Sequence, residues 1–316
     1  MKILANDGIS QSGIDDLTAA GFEVLTTTVA QEQLENFINT ENIVALLVRS
    51  ATTVRQDLID ACPGLKIIGR GGVGMDNIDV EYAREKGLSV INTPAASSES
   101  VAELVFAHLF SGVRFLYDSN KTMPLEGDTK FKNLKKAYAK GTELRGKTLG
   151  VIGFGRIGQA TAKMALGLGM KVIAFDPFLE KTTLSLSFYD GQTVDFEIKT
   201  VSKETVLKES DFITLHVPAQ KDFVIGKPEF DLMKDGSALV NAARGGVVNE
   251  VALVEALDSN KLSFAGLDTF ENEPSPAVQI LMNPKISLTP HIGAATNQAQ
   301  DRIGSELASQ IISILK

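Results

Sequence analysis

Along the first half of the chain, short apolar runs alternate with segments whose apolar residues recur every three or four positions. The runs are "KILAN", "FEVLTT", "IVALLVRS", "LKIIGRG" and "LSVINT", while "SGIDDLTAAG" and "DVEYAREKG" lie between them and end at glycine. Such runs predict buried strands, and the longer spacing predicts helices that stop at the glycine. A second series follows: "KTLGVIG", "KVIAFD", "DFITLHV", "SALVNAA", "SFAGLDTF" and "KISLTP". Runs this continuously apolar suit parallel strands covered by helices on both faces. Between the two series, "SSESVAELVFAHLFSGVRFLYDSNK" predicts a helix of several turns with Ser98 as its N-cap. The closing "NQAQDRIGSELASQIISILK" is amphipathic and predicts a helix that returns to the first series. The pattern therefore predicts an α/β protein of two doubly wound parallel-sheet domains, the second inserted into the first.

One stretch follows a different period. "LSLSFYDGQTVDFEIK" alternates around Asp190-Gly191, which predicts an antiparallel hairpin. Leu184, Leu186 and Phe188 share a face with Val194, Phe196 and Ile198 only if the loop has an odd number of residues. A three-residue loop, Asp190 to Gln192, with a bulge near the glycine is expected. Its apolar face needs cover, from the edge of the second domain or from an interface.

Composition narrows the function. The 316 residues include 31 basic and 39 acidic side chains, a net charge of −8, which argues against a general nucleic-acid surface and leaves anionic ligands to a focused pocket. The one cysteine, Cys62, cannot form an internal disulfide and reads as a small buried thiol before a strand. No apolar run reaches the length of a signal-peptide core or a membrane span, so a cytoplasmic location without membrane partners is expected.

The chemistry begins at "TLGVIGFGRIGQA". Gly153, Gly155 and Gly158 follow a strand and open a helix. There the first can turn tightly, the second lets a pyrophosphate approach the backbone, and the third lets the helix pack on the sheet. The helix N-terminus offers unpaired N–H groups to the phosphates. Asp176 ends the next strand eighteen residues beyond Gly158, where a carboxylate accepts from the adenosine ribose hydroxyls and repels a 2′-phosphate. NAD is the expected cofactor. The same aspartate, ahead of Pro177, also suits a turn.

Ligands in doubly wound sheets bind beyond the carboxyl ends of strands. Three successive strands end there in Arg244 ("SALVNAARGG"), Glu273 ("FAGLDTFENEP", past Asp268) and His291 ("ISLTPHIGAA"). Hydride transfer at a carbinol carbon needs such a set. His291 would exchange the hydroxyl proton, Glu273 would fix its tautomer and favour the imidazolium, and Arg244 would grip a substrate carboxylate. His108, inside "AELVFAHLF", reads as a helix-packing residue. His216, in "LHVP", suits either a cofactor wall or a backbone-satisfying role.

These motifs resemble the D-isomer-specific 2-hydroxyacid dehydrogenases, and within them the D-3-phosphoglycerate dehydrogenases. The resemblance spans nearly the whole chain, through "VRSAT", "LKIIGRGGVGMDNIDV", "VINTP", "AELV", "GTELRGKTLGVIGFGRIG", "FDP", "HVP", "NAARGG", "LDTFENEP" and "TPHIGA". It implies two Rossmann-like or flavodoxin-like domains, the first a substrate domain of residues 1–97 and 292–316. Inserted into it is a Rossmann-like NAD-binding domain, 98–291, with catalysis between the two. It carries the catalytic roles onto Arg244, Glu273 and His291. Cofactor contacts carry onto Arg156, Ile157, Asp176, Val217, Pro218, Ala242, Ala243, Asp268 and Gly293. Backbone N–H groups of Val73 and Gly74 are expected to meet the substrate carboxylate, and Asn92 to face the site.

For the substrate, Arg49 matches the arginine that similar phosphoglycerate enzymes direct at the phosphate, with Ser50 a second donor; a surface ion pair is the other role open to Arg49. The resemblance thus implies NAD-dependent oxidation of 3-phospho-D-glycerate in serine synthesis. A hydroxypyruvate or glyoxylate reductase, another D-2-hydroxyacid dehydrogenase, and an NAD-sensing corepressor are the alternatives. The segment Ser100 to Lys147 resembles a dimerisation arm, so a homodimer or higher oligomer is expected. The basic run "KFKNLKKAYAK" reads as a solvated helix face. The hairpin stands where the family has a shorter helical connection, and no serine-sensing regulatory domain is expected after Lys316.

Overall fold

The computed structural model describes residues 1–316. The chain forms two compact units, Met1–Ser100 with Ala294–Lys316, and Val101–Gly293, against crossing points at 98 and 291 expected from the sequence.

In the first unit, β1 (Lys2–Ala5), β2 (Glu23–Leu25), β3 (Ile43–Val48), β4 (Ile67–Arg70) and β5 (Ser89–Asn92) form a parallel sheet in the order β2-β1-β3-β4-β5. β3 is the central strand, and five of its six residues are buried because helices cover both faces. Each fully buried leucine or isoleucine there contributes about 1.5–3 kcal/mol. The closing helix, Asn297–Leu315, is capped by Thr296, whose Oγ1 accepts from the Ala299 amide. It packs on the helix Gln11–Ala19 at two glycines, since a Cβ on Gly13 would lie 2.9 Å from the Gly304 backbone. A larger residue at either position would separate the two helices. The late return of the chain thereby completes the first unit.

Cys62 is buried, and burial, with Glu35 adding to it, pushes its thiol up to about 11. At pH 8 the thiolate is then on the order of one part in a thousand. Iodoacetamide at that pH is expected to leave the native protein unlabelled and to label it fully in denaturant, as read by intact mass. Rapid labelling of the native fold would contradict the burial.

The second unit holds β6 (Thr148–Ile152), β7 (Lys171–Phe175), β8 (Lys181–Ser187), β9 (Thr193–Lys199), β10 (Phe212–Leu215), β11 (Ser237–Asn241), β12 (Leu262–Leu267) and β13 (Ile286–Leu288). Six of these make a parallel sheet, β13-β12-β11-β10-β6-β7. After β7 the chain crosses to the other side of β6, so the strand order reverses between β6 and β10. That reversal opens a crevice at the carboxyl ends of these two strands.

β8 and β9 form a separate antiparallel hairpin, with Leu184 opposite Phe196 and Leu186 opposite Val194. The odd loop length is as expected, but the loop is Tyr189–Gly191 rather than Asp190–Gln192. The Phe188 amide donates to the Gln192 carbonyl, and Gly191, at φ 85°, takes the left-handed position of the bulge. This register places Leu184 in the core beside Ile198 and leaves Tyr189 at the solvated tip. Thr200 bridges to Ala174, tying the hairpin to β7.

Ser98 does not cap the helix that follows. It is that helix's first residue, in Ser98–Val113, and its buried hydroxyl has no hydrogen-bond partner. No helix of the chain is long and apolar enough to cross a membrane.

Candidate active site

The glycine turn lies at the β6–β10 crevice. Gly153 has φ 90°, and a Cβ on it would meet the His216 carbonyl at 2.4 Å. Only glycine fits there. Gly158 brings the helix Arg156–Gly167 against the turn, since its Cβ would stand 2.2 Å from the Gly153 carbonyl. Gly155, by contrast, faces open space and is the N-cap of that helix with no side chain capping it. The uncapped N–H groups and the clear approach over Gly155 fit a dinucleotide pyrophosphate. Arg156 is exposed at the first helical position, and Ile157 packs against the core below.

Asp176 serves the turn from the end of β7. Its Oδ2 accepts from the Phe154 amide at 2.7 Å and its Oδ1 from the Phe178 amide at 2.9 Å. The turn role and the ribose role are compatible, because a carboxylate has about four acceptor sites and two are in use. Val217 and Pro218 follow β10 on the same edge. His216 just before them donates or accepts at Nε2 with Thr214 Oγ1, 3.1 Å away, while its Nδ1 is buried and unpartnered. Burial pushes its pKa down to about 3, so it stays neutral and does not exchange protons near pH 7.

Ala242, Ala243 and Arg244 leave β11 in a turn set by Asn241. Its Oδ1 accepts from the Ala243 amide at 3.1 Å, and its Nδ2 donates to the Arg244 carbonyl at 2.9 Å. Arg244 Nη1 donates to the Ala243 carbonyl at 2.7 Å. The next residue, Gly245, lies under the loop after β12, where a Cβ would be 1.8 Å from the Phe270 carbonyl. The Phe270 amide in turn donates to Glu273 Oε1 at 3.0 Å. The segments carrying Arg244 and Glu273 therefore share one contact. Glu250 adds a second tie by accepting from the Glu271 amide at 2.8 Å. Burial raises the pKa of Glu250.

Glu273 and His291 meet directly. Oε2 of Glu273 lies 2.8 Å from His291 Nδ1, so this nitrogen carries the hydrogen and Nε2 is left for other partners. His291 is half-exposed and takes a left-handed backbone, φ 54°. An apolar pocket of about 420 Å³, walled by Phe270, Pro274, Leu281 and Pro290, adjoins the pair. Asp268 is buried beneath them: its Oδ1 accepts from Thr289 Oγ1 at 2.6 Å and the Ile292 amide at 2.8 Å, and its Oδ2 from the Gly293 amide at 2.8 Å.

In the first unit the named residues also collect at strand ends. Arg49 and Ser50 follow β3, and Asp7, after β1, accepts from the Arg49 amide at 2.6 Å and from Thr52 Oγ1 at 2.5 Å. Asn77 Nδ2 donates to the carbonyls of Arg49 and Thr52. The backbone of Arg49 is fixed from both sides, while its guanidinium makes no ion pair. β1 and β3 flank the reversal of strand order in this sheet, the usual position of a ligand. Asn92 Nδ2 donates to the Val73 carbonyl at 2.7 Å, which joins Asn92 to the loop of Val73 and Gly74.

Asp7, Asn77, Asn241, Glu250 and Gly245 were not singled out from the sequence. An asparagine or aspartate at the end of an apolar run is the one signal that points to two of them, Asp7 and Asn241.

The profile of the D-isomer specific 2-hydroxyacid dehydrogenase NAD-binding domain matches residues 106–293. A hydroxypyruvate reductase of Thermotoga maritima is 44% identical over 299 residues, 93% of this chain and 91% of that protein. A D-3-phosphoglycerate dehydrogenase of Archaeoglobus fulgidus is 39% identical over all of this chain, which spans 58% of that protein's length. Among solved structures, D-lactate dehydrogenase of Aquifex aeolicus in complex with NAD and lactic acid is 29% identical, with a TM-score of 0.75, covering 100% of this chain and 95% of that one.

Proposed function

The chain belongs to the D-isomer-specific 2-hydroxyacid dehydrogenases, and from that premise we propose that it oxidises 3-phospho-D-glycerate to 3-phosphohydroxypyruvate. NAD, when bound, supplies the hydride acceptor. Gly153, Gly155 and Gly158 with the N–H groups at Arg156 and Ile157 would hold its pyrophosphate, and Asp176 its adenosine ribose. Val217, Pro218, Ala242, Ala243 and Gly293 would wall the remainder.

The acid–base work falls to His291. Its Nε2 takes the substrate hydroxyl proton during oxidation and returns it during reduction. Glu273 accepts from Nδ1 and stabilises the imidazolium that forms, and Glu273 is itself aimed by the Phe270 amide. Arg244 grips the substrate carboxylate through its planar fork, with the backbone of Val73 and Gly74 as further donors. Asn92 would orient that loop through Val73.

The phosphate assignment is carried by one observation: Arg49 presents an unpaired guanidinium from a rigid backbone at the strand-order reversal of its sheet. A dianionic phosphate would pair with it through charge-assisted hydrogen bonds, with the Ser50 hydroxyl beside it. A second reading, reduction of unphosphorylated hydroxypyruvate, is favoured by the 44% identity to the Thermotoga maritima enzyme.

Steady-state NADH consumption separates the two. The phosphate reading expects kcat/KM for 3-phosphohydroxypyruvate at least about a hundredfold above that for hydroxypyruvate, roughly 2.7 kcal/mol of transition-state binding, and expects Arg49→Ala to remove most of that preference. Equal or reversed preference would assign the enzyme to hydroxypyruvate and leave Arg49 without a substrate role.

A further inference from the structure

We propose that His108 is a positioning residue for His291, gripping the loop that carries the imidazole through a buried chain of hydrogen bonds; the inference rests on the acid–base role given to His291 above.

The sequence marks His108 only as one more residue on an apolar helix. In the fold its ring is buried, and it reaches its place because β12 has a glycine beneath it: a Cβ on Gly266 would stand 2.6 Å from the His108 Cβ. The ring then meets two hydroxyls that are two residues apart on β13 and its exit, and so lie on one face. Nδ1 is 2.9 Å from Ser287 Oγ, and Nε2 is 3.0 Å from Thr289 Oγ1. Thr289 Oγ1 is 2.6 Å from Asp268 Oδ1.

The directions of these bonds follow from the last one. A carboxylate accepts, so the Thr289 hydroxyl donates to Asp268, and its oxygen is left to accept from His108 Nε2–H. The neutral ring then accepts at Nδ1 from the Ser287 hydroxyl. Burial lowers the pKa of His108, against the opposing charge of Asp268, which keeps the ring in this neutral form.

The far end of the chain is the His291 loop. Asp268 takes Thr289 Oγ1 ahead of His291, and the Ile292 and Gly293 amides behind it. His291 itself has the left-handed backbone that a non-glycine residue keeps only when its surroundings hold it there. Tethers on both sides of residue 291 supply that hold. His108 acts on the forward tether: by donating to Thr289 Oγ1 it leaves the threonine hydroxyl one direction, toward Asp268. Without the ring that hydroxyl is free to rotate, and the side chain of Thr289 no longer adds a fixed tether to the bond its amide makes with the Leu267 carbonyl.

The test uses the full-length protein and three variants: His108→Leu, which keeps the volume without the bonds, His108→Gln, whose amide N–H can still reach Thr289, and Thr289→Val. His108→Leu is expected to lower kcat about tenfold with KM for NAD within twofold. Amide hydrogen exchange across residues 289–294 should quicken about tenfold while exchange across the glycine turn, 148–158, is unchanged. His108→Gln should recover most of both losses. Because the two residues act in one chain, adding His108→Leu to Thr289→Val should cost little beyond Thr289→Val alone.

If His108→Leu leaves kcat and exchange at 289–294 within twofold of the parent, or speeds exchange equally at both segments, the positioning role is wrong. If it does not fold, Thr289→Val carries the same two readouts. A protein without dehydrogenase activity would remove the proposed function, whereas the exchange at 289–294 would still report whether His108 holds the loop.

Discussion

Replacing His291 with alanine is expected to lower kcat for 2-hydroxyacid oxidation by about three orders of magnitude, close to 4 kcal/mol, while the affinity for NAD stays within a few-fold. The size follows from the geometry. No other histidine can substitute: His216 is buried with a pKa pushed down to about 3, and both nitrogens of His108 are engaged with Ser287 and Thr289. Glu273 cannot stand in either: its Oε1 stays committed to the Phe270 amide, and its Oε2, though released, lies on the Nδ1 side of the missing ring, an imidazole's width from the hydroxyl that Nε2 would serve. NAD binding is expected to survive because the glycine turn and Asp176 lie at β6 and β7, while His291 follows β13 at the far side of the same sheet. Initial-rate kinetics and a fluorescence titration with NADH check the two halves separately. Turnover within tenfold of the parent would remove His291 from the chemistry. Undiminished biological effect with turnover abolished would instead favour a nucleotide-sensing role for the fold.

The strands and the site are legible in this sequence to different degrees, and for a physical reason. A parallel strand buried on both faces must be apolar throughout, so β1, β3, β6, β10 and β11 announce themselves in "KILAN", "IVALLVRS", "TLGVIG", "DFITLHV" and "SALVNAA". Arg244, Glu273 and His291 stand out because they are ionisable groups placed where such runs end. What holds them is much less visible. His108 and Ser287 are 179 positions apart, and Asp7 reaches Arg49 across 42, so neither contact leaves a periodic trace. The hairpin shows the same limit on a smaller scale: alternation fixed the parity of the loop, but the register depended on which leucine the core could accept. Ser98 looked like a cap because serine often is one, and the helix simply begins with it.

Gly155 offers the second large effect, and its two neighbouring glycines show why. Gly153 is needed by the backbone, at φ 90° against the His216 carbonyl, and Gly158 is needed by packing, since its Cβ would meet the Gly153 carbonyl. Neither condition holds at Gly155. Its φ of −72° and ψ of −163° are open to any residue, and a Cβ built on it has no heavy atom within 4 Å. The protein alone therefore gives no reason for glycine over serine or aspartate at this N-cap position; a ligand lying against the backbone does. Gly155→Val is expected to lower Tm by only a few degrees, the cost of a poorer N-cap. It should weaken NAD binding about a thousandfold, roughly 4 kcal/mol, because the added methyl groups occupy the approach to the helix N–H groups. Gly158→Ala should differ in kind, with Tm and NAD affinity falling together as the helix is pushed off the turn. Calorimetric titration and thermal unfolding of the two variants give the comparison. A Gly155→Val protein that binds NAD within tenfold of the parent would mean that the pyrophosphate does not cross this turn, and the cofactor would have to be placed elsewhere along the β6–β10 crevice.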